Sequence, residues 1–121
     1  MIDVLIVDDD RWVSDQYASW CERSGWRTAT AEHALGAIDE INTQLPRAIV
    51  LDMFLPGPNA LTLLHELQSY QDTAQLPIVL CTSSARELRG IDMRAYGVRY
   101  ILDKTTLDRA EFTRVLKGVL A

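Results

Sequence analysis

The chain has 121 residues, of which 48% are hydrophobic and 24% charged, and its formal net charge at pH 7 is −5. This length and composition predict one globular domain, and the negative charge argues against nucleic acid binding through the overall field of the chain. No apolar run approaches the roughly 20 residues of a membrane-spanning helix, so no membrane contact is expected. Cys21 and Cys81 lie in apolar surroundings without a secretory signal, so we expect two reduced, buried thiols in a cytoplasmic protein.

Short apolar segments alternate with longer amphipathic ones along the whole sequence. In chain order the predicted elements are a strand at 2–7, a helix at 11–24, a strand at 26–29, a helix from Thr30 or Glu32 to Leu45, a strand at 48–51, a helix from 60 to about 71, a strand at 78–81, a helix at 86–96, a strand at 100–102 and a last helix through Phe112 and Leu120. This alternation predicts a parallel sheet with helices on both faces, which is a three-layer α/β sandwich.

Turn and capping residues mark several of the predicted boundaries. Gly25 and Gly97 follow the first and fourth helices, in the usual position of a helix C-cap. A turn at residues 56–58, with Asn59 as an N-cap, precedes the third helix. The second helix is expected to bury one stripe of side chains, which consists of Leu35, Ile38, Ile41 and Leu45.

Acidic residues follow two of the predicted strands directly. Asp8 and Asp9 come after the first strand, and Asp52 comes after the third. Because the carboxyl ends of parallel strands lie at one edge of a sheet, these carboxylates should converge there, opposite Lys104 at the end of the fifth strand. Like charges about 4 Å apart repel by roughly 1–4 kcal/mol at surface-like dielectrics. Such a cluster requires a counter-charge. Because carboxylate oxygens are hard ligands, the sequence predicts a site for Mg²⁺, Mn²⁺ or a similar divalent ion.

These residues, taken together, resemble the receiver domain of bacterial response regulators of the chemotaxis type. The resemblance is carried by Asp8 and Asp9, by Asp52 in the segment LDMFLPG, by Thr82 after the fourth strand, and by Lys104. It covers the whole chain and implies a doubly wound, flavodoxin-like (βα)₅ sandwich with strand order 2-1-3-4-5. It also implies one receiver domain over residues 1–121, with no effector domain in this chain.

The resemblance implies a role for each residue of the motif. Asp52 would accept a phosphoryl group, Thr82 would hydrogen-bond a phosphoryl oxygen, and Lys104 would pair with the carboxylate or the phosphoryl group. The implied ligands of Mg²⁺ are Asp8, Asp9, Asp52 and the backbone carbonyl of Met53. The implied function is a two-component or phosphorelay switch rather than an enzyme with a separate substrate. A histidine kinase or histidine phosphotransfer protein would supply the phosphoryl group, and a target protein, an effector domain or a phosphorylation-dependent homodimer would respond.

Two positions near Lys104 depart from the usual receiver pattern. Receivers usually carry an aromatic residue three places before the lysine, where this chain has Ile101. Tyr100 stands one place earlier, and strand alternation turns it to the opposite side. We therefore expect an altered switch at Ile101. Thr105 replaces a proline that often has a cis bond, and we expect the Lys104–Thr105 peptide bond to be trans.

Phe54 and Ser84 stand where receivers tune the loss of the phosphoryl group. The apolar ring of Phe54 offers no hydrogen bond to an attacking water, so the pair predicts slow self-dephosphorylation.

Simpler interpretations remain for some acidic and aromatic residues. Asp8 and Asp9 could be first-turn acids of a helix, whereas Asp10 is better explained as its N-cap. Trp12 is either a lid on the pocket or a packed aromatic residue.

Two other functional classes are consistent with parts of the sequence. A pseudo-receiver would keep the fold and signal without phosphorylation, and Ile101 and Thr105 are its support. A phosphatase with an aspartyl-phosphate intermediate would need a second carboxylate two residues after Asp52, where Phe54 stands.

His33 and His65 lack a ligand partner at metal spacing and are expected at the surface. Candidate contacts for partner choice are Trp20, Arg23, Arg86, Arg89 and Arg94.

Overall fold

The computed structural model describes residues 1–55, 60–83, 85–88 and 90–121, with Glu87 described by its backbone alone. The described elements are β1 (Val4–Val7), α1 (Arg11–Arg23), β2 (Thr28–Ala31), α2 (Ala34–Thr43), β3 (Ala48–Asp52), α3 (Ala60–Gln68), the one-turn helix α4 (Gln71–Ala74), β4 (Ile78–Thr82), two 3₁₀ turns (Ala85–Leu88 and Met93–Tyr96), β5 (Val98–Asp103) and α5 (Arg109–Leu120). The strands form one parallel sheet in the order β2-β1-β3-β4-β5, which confirms the predicted topology. The predicted turn at 56–58 and the cap at Asn59 lie outside the described residues.

The sheet separates two hydrophobic clusters. On one face, side chains such as Leu5 and Ile49 pack against α2 and α3. On the other face, Ile6 and Val50 pack against α1 and α5, where Phe112 is fully buried. Neighbouring residues of each central strand therefore enter opposite clusters. This burial on both sides explains why β1 and the first four residues of β3 are entirely apolar.

The second strand begins two residues later than predicted. Gly25 takes a left-handed conformation with φ of +83° after α1. The backbone N–H of Trp26 donates to the carbonyl of Cys21 at 3.0 Å, so Trp26 still belongs to the end of the helix. Its side chain packs against the cluster under α1 and α5. The chain becomes extended only from Thr28.

Helix α2 buries a different stripe from the one predicted. The helix begins at Ala34 with His33 as its N-cap, and the Nδ1 atom of His33 accepts the N–H of Gly36 at 3.0 Å. The side chains on the core side are Ala34, Ala37, Ile38 and Ile41. The prediction was wrong at Leu35 and Leu45, which are exposed. Small alanine side chains allow this helix to approach the sheet closely.

The predicted helix at 86–96 was wrong. Two separate 3₁₀ turns occupy this segment, and Gly90 lies between them with φ of +85°. Asp92 caps the second turn by accepting the N–H of Arg94 at 3.2 Å. Leu88 and Met93 pack against the core. They are five residues apart, whereas residues on one face of a regular helix are three or four residues apart.

Strand β5 contains a bulge at Arg99. Val98 pairs with Ile78 and Tyr100 pairs with Val79, so Arg99 is left without an opposite residue. Tyr100 lies on the α5 side of the sheet, because the Tyr100 hydroxyl oxygen is 4.0 Å from the position that a Cβ atom on Gly118 would occupy. Ile101 consequently faces the other side, and the expectation that Tyr100 does not replace it is consistent with this arrangement.

Both cysteines are free and buried, which confirms the predicted reduced thiols. Burial raises the pKa of Cys21 and of Cys81 to about 12. Both thiols are therefore protonated at neutral pH and poor nucleophiles. None of the described helices is long and apolar enough to cross a bilayer.

Candidate functional site

The ends of β1 and β3 bring together three carboxylates. The two strands pair in register from Val4 with Ala48 to Val7 with Leu51, so the residues that follow them are neighbours. One oxygen of each of Asp8, Asp9 and Asp52 lies within 4.8 Å of the others. Asp8 and Asp52 are buried, whereas Asp9 is exposed. Carboxylate oxygens are the hard donors that Mg²⁺ prefers, so the predicted acidic site is formed and fits a divalent cation.

Lys104 reaches across the sheet to two of these carboxylates. Its Nζ donates to Asp8 Oδ2 at 2.7 Å and lies 3.2 Å from Asp52 Oδ1. Its backbone N–H also donates to the carbonyl of Thr82 at 3.0 Å, which fixes the start of the side chain beside the end of β4. Lys104 is therefore part of the acidic site rather than a lysine surrounded by solvent.

The site is electrostatically unfavourable for Asp52. Burial raises the pKa of Asp52, the negative charge of Asp8 raises it further, and Lys104 acts in the opposite direction. For Lys104, burial lowers the pKa, but the ion pairs with Asp8 and Asp52 outweigh burial and place it above the ordinary value. The single ammonium group of Lys104 thus pairs with two buried carboxylates. A bound cation would therefore be electrostatically favourable at this site.

Helix α1 holds Asp8 in position. Asp10 caps this helix, as predicted, because its Oδ1 accepts the N–H groups of Trp12 at 3.0 Å and Val13 at 3.3 Å. Asp8 Oδ1 accepts the N–H of Asp10 at 2.9 Å, and the hydroxyl of Ser14 donates to the Asp8 carbonyl at 3.4 Å. Trp12 is 79% exposed, so the packed-aromatic interpretation is wrong.

Of the remaining predicted residues, Met53, Phe54 and Thr82 lie within the described part of the chain. Thr82 is fully buried at the end of β4, opposite Asp103 in β5. Phe54 is exposed two residues after Asp52, and Met53 is partly buried between them. Ser84 lies outside the described residues.

Surface candidates for partner contact divide into two groups. Trp20 packs against Phe112 with ring centroids 5.2 Å apart, so much of its ring is not available to a partner. Arg23, Arg86 and Arg94 are exposed. Arg89 lies outside the described residues.

Asp103, the last residue of β5, has a role that the sequence analysis missed. Asp103 Oδ1 accepts the N–H of Thr105 at 2.9 Å and its hydroxyl at 2.6 Å. These hydrogen bonds lower the pKa of Asp103. No peptide bond among the described residues is cis, which confirms the trans Lys104–Thr105 bond. The Asp-Lys-Thr order, typical of an Asx turn, was the available signal.

Known proteins share both the sequence pattern and the fold. The family model for the response regulator receiver domain matches residues 4–117. The phosphate regulon transcriptional regulatory protein PhoB of Pseudomonas aeruginosa is 30% identical over 117 residues, which cover 97% of this chain and 51% of PhoB. This chain spans about half the length of the curated transcriptional regulators it matches.

Solved structures agree with the same arrangement. The receiver domain of NtrX from Brucella abortus has a TM-score of 0.87 at 27% identity, over 98% of each chain. The receiver domain of the sensor histidine kinase PA1611 from Pseudomonas aeruginosa PAO1 contains a magnesium ion coordinated in its active site cleft. It has a TM-score of 0.84 at 23% identity, over 98% of this chain and 97% of that one.

Proposed function

Because this chain belongs to the family of response regulator receiver domains, we propose that it is a phospho-acceptor switch in a two-component or phosphorelay system. A histidine kinase or histidine phosphotransfer protein supplies a phosphoryl group to Asp52 in a Mg²⁺-dependent reaction. The observation that carries this proposal is the contact of one lysine with two buried carboxylates beside an exposed third. A cytoplasmic location belongs to the same proposal.

The proposed reaction is a direct phosphoryl transfer. An oxygen of the Asp52 carboxylate forms a bond to phosphorus, and the bond between phosphorus and the donor imidazole nitrogen breaks, with its electron pair leaving on that nitrogen. Lys104 Nζ, 3.2 Å from Asp52 Oδ1, would offset charge on the transferred group. Thr82, at the end of the neighbouring strand β4, would hydrogen-bond a phosphoryl oxygen.

The acidic residues support a bound divalent ion in this role. Asp8, Asp9, Asp52 and the carbonyl of Met53 would hold it. When bound, Mg²⁺ would offset negative charge on the phosphoryl oxygens, as in other phosphoryl transfers. The magnesium ion in the related PA1611 receiver supports this choice of metal. The face formed by the 3₁₀ turns and β5 would then change its affinity for a target protein or an effector domain.

A labelling experiment tests the phospho-acceptor function. The chain is incubated with Mg²⁺ and a small-molecule phosphodonor, and the product is examined for an acid-stable, hydroxylamine-labile adduct by mass spectrometry. We expect one phosphoryl group per chain, abolished by Asp52→Ala and by chelation of Mg²⁺, and retained in the exposed-acid control Asp15→Ala. Absence of an adduct would favour the pseudo-receiver, and sustained turnover of phosphate monoesters would favour a phosphatase.

The lifetime of the phosphoryl group is expected to depend on Phe54. Phe54→Asn introduces an amide that can hydrogen-bond a water, and we expect the lifetime to shorten by about 2- to 10-fold, the value of one hydrogen bond. The control Phe54→Leu should leave it unchanged, because leucine offers no such bond. Release of phosphate from the purified phosphorylated protein measures both variants. An unchanged lifetime in Phe54→Asn would reject the role of Phe54.

Asp103 is expected to position Lys104. Asp103→Ala removes both hydrogen bonds to Thr105 and should slow phosphorylation by about 5- to 50-fold, because small displacements of a catalytic group are costly. The free energy of unfolding should change little, since the side chain is on the surface. Asp103→Asn keeps the acceptor oxygen and should recover most of the rate. Equal rates in Asp103→Ala and the parent would exclude the positioning role.

A further inference from the structure

A cavity of about 170 Å³ lies between the later turns of α2, the end of α3 and the short helix α4. The crossover helices of a parallel sheet run back across it, so the ends of α2 and α3 lie at the edge of the sheet opposite Asp52. The cavity is therefore separate from the phospho-acceptor site. We call it the α2–α4 cavity, and its lining includes the apolar side chains Ile38, Ile41 and Leu67 and the polar side chains Glu66, Tyr70 and Asp72.

The interior of the α2–α4 cavity is apolar and its mouth is acidic. Ile41 and Leu67 are buried, with 6% and 3% of their surface exposed. Glu66 and Asp72 are exposed, and the ring of Tyr70 is 57% exposed beside them. A group that fills this space needs an apolar stem for the interior and a positive end for the mouth. Long basic side chains have this division along their length.

The carboxylates around the cavity have no cation to balance them. Helices α2, α3 and α4 together contain four acidic residues and neither lysine nor arginine. Within the described ranges of the chain, no ion pair involves Glu66 or Asp72. The next cation after α2 is Arg47, which instead pairs with Asp3 and donates to the carbonyl of Leu120. This face of the protein therefore attracts a positively charged partner.

Side-chain hydrogen bonds fix one wall of the cavity in advance. The hydroxyl of the buried Thr73 donates to the carbonyls of Leu67 and Tyr70, which ties α4 to the end of α3. The side-chain amide of Gln68 donates to the carbonyl of Ala74 at 3.4 Å and adds a second tie between the same helices. A preformed wall reduces the ordering cost of binding, because the partner does not have to build it.

The size of the cavity limits what can occupy it. Sites for small organic ligands usually measure roughly 300–1,000 Å³. The α2–α4 cavity is smaller and has room for one long side chain. Arginine suits the lining better than lysine, because its planar guanidinium can stack on the ring of Tyr70 while its N–H groups meet carboxylates.

We propose that the α2–α4 cavity binds an arginine side chain from a basic segment of a partner protein. The alkyl stem of the arginine contacts Ile41 and Leu67, and its guanidinium lies at the mouth against Tyr70, Glu66 and Asp72. This interaction goes beyond the proposed phospho-acceptor function and does not require the phosphoryl group. It gives the domain a contact surface on the side of the sheet covered by α2 and α3.

Other occupants fit this surface less well. Nucleic acid and acidic peptides would meet the negative charge of the three helices. A purely apolar side chain would cover Glu66 and Asp72 and remove water from them without providing a partner. Among the described residues, the acids that come close enough together to hold a metal ion are those of the phospho-acceptor site.

Fluorescence anisotropy with labelled peptides tests the proposal. The first probe is a short peptide of serine and lysine with one central arginine. In the second probe citrulline, which has the same shape without the charge, replaces the arginine, and in the third probe lysine does. We expect the citrulline peptide to bind about 5-fold or more weakly, the lysine peptide about 2- to 5-fold more weakly, and all affinities to fall with added salt. Equal affinity of the arginine peptide and either other peptide would overturn the proposal.

Variants locate the binding to the cavity. The double substitution Glu66→Gln and Asp72→Asn should weaken binding of the arginine peptide by about 5-fold or more. Tyr70→Ala should weaken it by about 2- to 5-fold, and Tyr70→Phe, which keeps the ring, should restore it. The matched control Asp39→Asn with Glu40→Gln removes the same charge from exposed acids that do not line the cavity. Equal loss in the control and in the first double variant would mean general attraction and overturn the proposal.

Two further measurements on the unmodified chain do not depend on how the variants fold. Amide chemical shifts in NMR spectra should move on addition of the arginine peptide at the later turns of α2, the end of α3 and α4. Shifts centred on any other part of the chain would contradict the proposal. Sedimentation of the free chain detects self-association, and a dimer that the arginine peptide dissociates would assign the cavity to a second copy instead.

Phosphorylation of Asp52 is assayed separately, so that this proposal and the phospho-acceptor function fail independently. Binding of the arginine peptide should be the same in the parent and in Asp52→Ala, since the cavity lies at the opposite edge of the sheet. A chain that forms the adduct and does not distinguish arginine from citrulline contradicts the α2–α4 cavity alone. A chain that binds the arginine peptide as expected and forms no adduct contradicts the phospho-acceptor function alone.

Discussion

Lys104→Gln is expected to slow phosphorylation of Asp52 by roughly 10²–10³-fold, the usual cost of removing one group that stabilises transferred charge. The same change should destabilise the fold by about 1–3 kcal/mol at pH 7. Removal of one partner from a fully buried pair costs about 3–5 kcal/mol. The expected cost for Lys104 is lower, because its side chain is 20% exposed and solvent partly screens the ion pairs.

The destabilisation in Lys104→Gln should depend on pH in a defined way. The pKa of Lys104 is raised in the fold, so its contribution is present below the unfolded value of 10.5 and is lost as pH rises through the higher folded value. Urea unfolding with a chelator present, from pH 3 to 11, measures this window.

Lys117→Gln is the matched control for this prediction, because Lys117 is an exposed lysine on α5. Its unfolding free energy should stay within about 0.5 kcal/mol of the parent at every pH. If Lys104→Gln were as stable as this control at pH 7, the ion pairs with Asp8 and Asp52 would contribute nothing to the fold.

Asp52→Asn is expected to abolish the phosphoryl adduct and, at pH 7 without metal, to stabilise the protein by about 0.5–2 kcal/mol, which is the usual gain from relieving an unfavourable site. The corresponding rise in the midpoint of thermal unfolding is roughly 2–8 °C. Burial and the charge of Asp8 disfavour the ionised form of Asp52, and asparagine carries no charge. Lys104 keeps its closer contact with Asp8 in this variant.

The sign of the pH effect makes Asp52→Asn a sharp test. The pKa of Asp52 is raised in the fold, so ionised Asp52 penalises the native state above the folded pKa and has no penalty below the unfolded value of 3.8. The gain in Asp52→Asn should therefore shrink to zero as pH falls toward that value. Asp15→Asn, at an exposed acid of α1, should show no such dependence. A gain of equal size at pH 3.5 and pH 7 would contradict the electrostatic explanation.

Sequence reasoning succeeded where a residue's position in a strand decided its neighbours. The apolar run ending at Leu51 required a strand buried on both faces, and this alone placed Asp52 beside Asp8 at one edge of the sheet. The cap at Asp10 followed from local hydrogen-bonding chemistry, which needs no tertiary information.

Sequence reasoning failed where tertiary packing competed with a weak local pattern. Residues 86–96 have the composition of a helix, but Leu88 and Met93 are the side chains that reach the core, and Gly90 permits the left-handed break between them. The pairing at Arg99 could not be predicted either, because a bulge depends on the register of two strands rather than on one sequence. The Asx turn at Asp103 was visible in the sequence but was not assigned.

Arg99 is the residue of β5 that has no opposite residue in β4. Loss of one residue from a regular strand turns every later side chain to the other face and exchanges core for surface. Because Arg99 is the supernumerary residue, its deletion would leave Val98, Tyr100 and Ile101 on the sides they occupy now. Deletion of Arg99 would thus remove one positive charge without changing which side chains of β5 pack against the core. Evolution could add or delete a contact there without redesigning the domain.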